Sequence, residues 1–449
     1  MKALVVCFVS VVLCACGYGK DWPEWRGEGR RGVWKEDGLV TSFEDGALKF
    51  LWRAPIGPGY NGPTVKGPRI YAMDRGLDAQ ANLDIERVIC YDRETGEVLW
   101  EHQYLCRYQE IGYPLGPRGS VTVVGGRSYA MGAMGHLHCL DAATGEVIWR
   151  QDLAEEYEIA MPVWGLSSSP LVEGGLVIVN VGAASERASV VAFDRESGKE
   201  VWRQFDDRIG YTSPMVIVQG GRRVVVVWTG FRIAGLDVPT GEVLWEHETK
   251  PNRMPINVPD AALDEIGERL FLSTFYDGSR VLELGQGENL GIAEVWRRRG
   301  VSERRTDALH CMISPPYLYK GFVYGIDSYG ELRCLDLATG DRIWESIGEV
   351  VPTGRWSTVF MVRNGEHTWM FTERGELILA RLSPEGYEEV SRAQLLEPTT
   401  SLRRRGEREP VRVVWSHPAF ANRCIYARND HELVCVDLSA SPRAPDATK

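Results

Sequence analysis

Two short segments carry the residue types of acid–base chemistry. Arg305, Asp307 and His310 fall within six residues of one another in RRTDALH, and Ser416 stands beside His417 in WSHP. A histidine close to a carboxylate or a hydroxyl can move a proton. Neither segment has the companions of a catalytic centre: no nucleophile elbow, paired-carboxylate setting or phosphate-binding glycine loop goes with them. A histidine at such a strand start reads as a hydrogen-bonded structural residue, so no catalytic residue is assigned.

Thiolate chemistry is the next candidate, since the chain has 10 cysteines. Cys90, Cys139, Cys334 and Cys435 each stand two positions before an aspartate, where related segments carry Ala192 and Gly235. Positions alike by repeat belong to different structural units, so these four read as small packing residues rather than metal ligands or mutual disulfides. No zinc-ligand spacing is present, and no metal site is assigned. Cys106, Cys311 and Cys424 lie outside the repeat; two of them could pair in an oxidising compartment, and spacing does not say which.

Binding chemistry is better supplied. A proline step recurs at Pro63, Pro170, Pro214, Pro259, Pro315 and Pro418, four times after a small residue, and three residues earlier stand Tyr60, Ser167, Tyr211, Ile256, Met312 and Trp415. Trp356 fits the same slot with Val359 in place of the proline. If these steps open strands around one axis, Tyr60, Tyr211, Trp356 and Trp415 form an aromatic rim, with Asn61, Arg118, Trp164, His310, Arg355 and His417 nearby. Aromatic faces interspersed with hydrogen-bond donors suit a ligand or a peptide segment. The same side chains could instead simply fill the channel.

The elements that must hold such a rim are visible as a repeat. An aspartate, three residues, a glycine, three residues and a tryptophan occur as DRETGEVLW (Asp92 to Trp100), DAATGEVIW (Asp141 to Trp149), DRESGKEVW (Asp194 to Trp202), DVPTGEVLW (Asp237 to Trp245) and DLATGDRIW (Asp336 to Trp344). Each follows a short apolar run, so each reads as a hairpin whose aspartate satisfies turn amides and whose glycine takes positive φ. The apolar lead-in recurs with decayed turns at VLEL, LILA and LVCV, which makes eight units spaced by about 49 residues.

Two further strand candidates precede each hairpin, as in Ser169 to Gly182 and Ser314 to Gly330. Four strands per unit and eight units predict an all-β fold: an eight-bladed β-propeller of four-stranded antiparallel blades, with seven blades as the alternative if a weak unit is misread. The last unit lacks its fourth strand, and KFLWRAPI around Trp52 is a fourth strand without a unit. Pairing of the N-terminal and C-terminal strands therefore closes the ring and excludes an open solenoid. The repeat tryptophans, Trp52, Trp100, Trp149, Trp202, Trp245, Trp296 and Trp344, read as an interblade girdle rather than a cofactor stack.

Composition agrees. A chain that is 44% hydrophobic and 25% charged can bury a core and is neither disordered nor a multi-span membrane protein. A formal charge of −11 opposes attraction to nucleic acid. Lys2, the apolar run to Leu13 and the small residues after it have the layout of a signal peptide, and Leu13-Cys14-Ala15-Cys16-Gly17 resembles a bacterial lipobox with Cys16 as the lipidated residue. The expected organisation is a leader over 1–16, an extension over 17–46 that packs its three tryptophans on the ring, the propeller over 47–440 and a disordered tail over 441–449. The run of Arg403, Arg404 and Arg405, between Glu397 and Glu409, is expected to be a solvated loop.

The hairpins with their lead-ins resemble the tryptophan-docking repeat of the pyrroloquinoline quinone propeller family, over nearly the whole of Leu48 to Ser439. Within it, the quinoprotein dehydrogenases bind the quinone and calcium on the axis, many beneath an adjacent cysteine pair, and fused members carry a Cys-x-x-Cys-His haem site; neither motif occurs here. The resemblance is closer to the propeller lipoprotein of the outer-membrane barrel assembly machinery. It implies an exported, monomeric, non-catalytic scaffold, periplasmic or tethered by a lipid at Cys16, binding an envelope protein or a saccharide with no cofactor and no nucleic acid. The alternative it leaves is a pyrroloquinoline quinone- and calcium-dependent oxidoreductase of alcohols or sugars.

Overall fold

The computed structural model describes residues 20–78, 83–251, 253–287, 290–404 and 408–441. The leader with Cys16, Arg405 and the tail beyond residue 441 lie outside the described residues.

The repeat folds as its residue types require. In the first hairpin the Asp92 carboxylate accepts from the Glu94 and Thr95 amides, both at 2.9 Å, and Gly96 closes the turn at φ +74°. The same turn recurs at Asp141, where the Ala143 and Thr144 amides hold the carboxyl below its usual range. After the turn each strand crosses its lead-in with a bulge, and the tryptophan stands opposite the residue two before the aspartate: Cys90 opposite Trp100, Cys139 opposite Trp149, Cys334 opposite Trp344. The opposing residue is small because the indole lies over it; at Gly235 an added Cβ would come within 2.2 Å of the Trp245 ring.

Eight four-stranded antiparallel sheets result, each running from an innermost to an outermost strand in chain order except the last. In that blade the strand Lys49–Pro55 pairs with Glu432–Asp437, placing Trp52 opposite Cys435 and Ala54 opposite Leu433. The ring is therefore closed by its two termini, as the orphan strand implied, and the blade count is eight. The core lies between blades: Tyr71, Met73, Val88 and Cys90 of the first pack against Val121, Val123, Ala130 and Leu140 of the second.

Each repeat tryptophan docks on the next blade. The indole N–H of Trp52 donates to the Arg93 carbonyl at 2.8 Å, that of Trp149 to Arg195 at 3.0 Å and that of Trp202 to Val238 at 3.0 Å. Blade 5 has no aspartate turn to receive Trp245. Gln219 substitutes, taking the Trp245 N–H on its Oε1 at 2.7 Å and donating from Nε2 to Gly285 and Gly291. Blade 7 carries Ser391 where a tryptophan would stand, and Phe43 packs there with its amide on the Ser391 hydroxyl at 2.8 Å.

All seven described cysteines are buried thiols, and none of Cys106, Cys311 and Cys424 forms a disulfide. Burial pushes the Cys90 and Cys334 thiols up to about 12. The arginine run departs from expectation. Thr400–Leu402 pairs with Val411–Val413, and Arg404 turns inward with its guanidinium 2.5 Å from Glu373. Both side chains are buried, at 3% and 0% exposure, because a carboxylate held in the interior requires a cation.

The N-terminal segment is the strongest departure from a bare ring. It does not lie on the rim; it crosses the axis and touches every blade. Trp22 bridges Val65 of blade 1, and Pro23 accepts from Val123 of blade 2. The buried Arg30 donates to Ser169 and Pro170 of blade 3 and to Pro214 of blade 4. Arg31 reaches Asp264 of blade 5, Arg26 reaches Pro316 of blade 6, Val33 bridges Arg363 of blade 7 and Leu39 bridges Ser439 of blade 8.

Candidate functional site

The innermost strands start at one face of the ring and end at the face carrying the aspartate turns. The N-terminal plug enters from the second face, so the axial channel becomes a funnel open at the first. Its floor is Trp25, His417, Phe360 and Asp260; Trp25 lies edge-on to His417 at 4.1 Å and gives its N–H to Asp260. The cavity measures about 170 Å³.

The wall is built by register. Three residues before each inner strand's opening step stand Tyr60, Arg118, Ser167, Tyr211, Ile256, Met312, Trp356 and Trp415, one per blade, and all but Ile256 line the cavity. Arg118 is thus the blade 2 member of the slot, masked in the sequence because Val121 replaces the proline. Trp164, set against Tyr211 at 4.9 Å, and Tyr113 complete the mouth. Tyr113 meets Trp415 at 5.5 Å and Trp356 at 6.1 Å, in edge-to-face contacts. Arg118 lies over Tyr60 at 5.3 Å and Arg355 over Trp356 at 4.5 Å.

Tyr113 and Trp356 both hold left-handed backbone, at φ +54° and +69°. Bulky residues avoid that region, and holding one there costs about 1–3 kcal/mol. Hydrogen bonds from Trp356 N to Ser328 and from Gly354 N to Tyr329 fix the turn. The Trp356 indole N–H has no partner.

Below the rim a second register links neighbouring blades with hydrogen bonds. The Ser120 amide donates to Ser169 Oγ, Ser169 to Ser213 Oγ, and Ser213 to Asp260, at 2.9, 2.9 and 2.7 Å. The Gly62 amide donates to His417 Nε2 at 2.9 Å, which places the ring proton on Nδ1. Burial pulls His417 down to about 3, so it is neutral and structural. His310 is likewise neutral: its Nδ1 faces the Phe275 carbonyl at 2.9 Å and its Nε2 accepts from Gly300.

Of the ten rim residues expected from sequence, Tyr60, Arg118, Trp164, Tyr211, Trp356, Trp415 and His417 line the cavity, and Arg355 stacks on its wall. Asn61 and His310 do not reach it. Both are fully buried behind the rim; Asn61 holds Met73 through its amide in both directions. Sequence reasoning missed Trp25, Tyr113, Asp260 and Phe360. The proline register points at Asp260, which directly follows Pro259, while nothing periodic marks Trp25.

Among the residues lining the cavity Asp260 is the sole carboxylate; it already accepts from Trp25 and Ser213, and burial raises its pKa. Among the described residues no group of three or more His, Cys, Asp or Glu side chains is arranged to hold a metal ion.

Known structures share the ring. BamB from Moraxella catarrhalis aligns over 89% of this chain and 100% of its own, at 16% identity and a TM-score of 0.57. The quinohemoprotein alcohol dehydrogenase of Comamonas testosteroni covers 96% of this chain and 82% of its own, at 14% identity and a TM-score of 0.62. At such identities the likeness is one of fold. No curated protein matches the sequence. The model of one family, described as outer membrane protein assembly factor BamB, matches residues 84–346, more than half of the chain. Those residues hold all five intact repeat hairpins, and the chain belongs to the BamB family of quinoprotein-like propellers.

Proposed function

We propose that this chain is an exported, non-catalytic scaffold that binds a protein partner in the cell envelope through the mouth of its axial funnel. The carrying observation is the contact of Tyr113 with Trp356, two aromatic residues held at left-handed backbone on the rim. Backbone strain of that kind is retained where a side chain must be displayed. The family's description as an outer membrane assembly factor favours a protein over a saccharide as the occupant. Arg118 and Arg355, stacked on the wall aromatics, supply charge at the mouth and select an aromatic or apolar anchor flanked by acceptors. Lipid attachment at Cys16 would tether this scaffold to a membrane.

The residues present do not fit a quinone and calcium pair. The axial space is filled by Trp25, and Asp260, the one cavity-lining carboxylate, is committed to two N–H donors. A cavity of about 170 Å³ is close to one that holds a single benzene ring, roughly 150 Å³. The test is retention of envelope proteins by the purified chain, compared with Trp356→Ala and Trp415→Ala variants of unchanged thermal stability. A partner lost from both variants supports the reading. Equal retention refutes it, as does a bound-quinone spectrum on titration with pyrroloquinoline quinone and calcium.

A further inference from the structure

The plug leaves one sector of its own face open. It runs along blades 1 to 4 and returns along blades 7 and 8, and on this face it reaches blades 5 and 6 through the side chains of Arg31 and Arg26. A cavity of about 520 Å³ lies there, walled by Ala262, Leu263, Tyr317 and Leu318 and by the plug itself.

Its charge runs against that of the molecule. Asp21 is paired with Lys66, and Glu265 with Arg363. Among the described residues Lys20, Arg26, Arg31 and Lys35 line the cavity without an ion pair to any carboxylate, with the exposed Glu28 as the remaining acid. Arg26 is 8% exposed and makes one long hydrogen bond, 3.4 Å to the Pro316 carbonyl; burial pulls it down to about 10. The nearest acids, Asp260 to Arg26 and Asp264 and Glu265 to Arg31, make no ion pair with them, so this cluster of cations in a chain of net charge −11 has room for an added anion. Guanidinium pairs match phosphate oxygens in geometry as well as charge.

We infer that this plug-face cavity binds a phosphate-bearing anion, held by Arg26 and Arg31 with Lys20 and Lys35 at the opening. The ligand class is a phosphomonoester or diphosphate, free or as a lipid headgroup. Lys20 is four residues beyond Cys16, a distance of at most about 14 Å when extended, so a tether there would bring this face to the membrane surface.

The experiment titrates inorganic pyrophosphate into the purified Cys16→Ser chain by calorimetry at low and at physiological salt. Flotation with phosphatidic acid-containing and with neutral vesicles distinguishes the two sources. Saturable pyrophosphate binding, weakened at least tenfold in Arg26→Gln/Arg31→Gln, supports the site. Because Arg26 also braces the plug, the exposed pair Lys20→Gln/Lys35→Gln is the second variant, expected to lose threefold or more with no change in melting temperature. Flotation with anionic but not neutral vesicles assigns a headgroup; pyrophosphate binding without flotation assigns a soluble phosphate. Absence of pyrophosphate binding at millimolar concentration, or affinity unchanged in both variants, overturns the inference.

Discussion

Trp25 donates its indole N–H to Asp260 at 2.5 Å across the axis of the ring, joining the N-terminal segment to the start of blade 5. That bond turns an open channel into a funnel with a floor. Trp25→Phe keeps the ring and removes the donor, leaving Asp260 with the Ser213 amide alone. The expected loss is about 1–3 kcal/mol of unfolding free energy, measured by urea denaturation.

Acid should weaken the ring through two buried histidines. His138 and His417 are both pulled down to about 3 in the folded chain. Between that value and about 6.5 the unfolded chain holds more protons, so stability is complete above pH 6.5 and falls as pH drops. Each histidine is expected to cost about 2 kcal/mol between pH 7.5 and pH 5. His417→Gln retains an acceptor for the Gly62 amide and should flatten the pH dependence measured by urea midpoints; an unchanged slope would contradict the assignment.

Gln219 stands in for a missing turn. Gln219→Ala orphans the Trp245 N–H and takes a donor from the Gly285 and Gly291 carbonyls, and should destabilise by about 2–4 kcal/mol. Removing the exposed Gln103 the same way should change stability by less than about 0.5 kcal/mol. Thermal melts of the two variants side by side give the answer.

Trp356 separates binding from folding. Glycine tolerates φ +69° without strain, so Trp356→Gly should be neutral or stabilising by up to about 1 kcal/mol while partner retention is lost. Trp369→Ala, which empties a side chain at 1% exposure, should instead cost about 3–5 kcal/mol.

Much of this was legible in the residues. The five Asp-x-x-x-Gly-x-x-x-Trp hairpins dictate strand, turn and docking at once, and the orphan strand around Trp52 identifies how the ring closes. The proline step locates the inner-strand starts, and hence Tyr60, Tyr211 and Trp415 of the rim. What escaped depends on contacts that no period records. Tyr113 and Phe360 reach the cavity from positions outside the slot, and Arg404 is drawn inward by Glu373, thirty-one positions earlier in the chain. Trp25 sits in a segment whose three tryptophans announce burial without saying where. Only the assembled ring offers them an axis to enter.

The central claim is that the funnel mouth is the surface a partner meets. A photoreactive phenylalanine analogue placed at Tyr113 tests this in living cells, with Glu385, exposed in a turn on the plug face, as the control position. The account expects a discrete adduct with an envelope protein from position 113 and none from position 385. Adducts from 385 alone, or equal labelling from both, would contradict it.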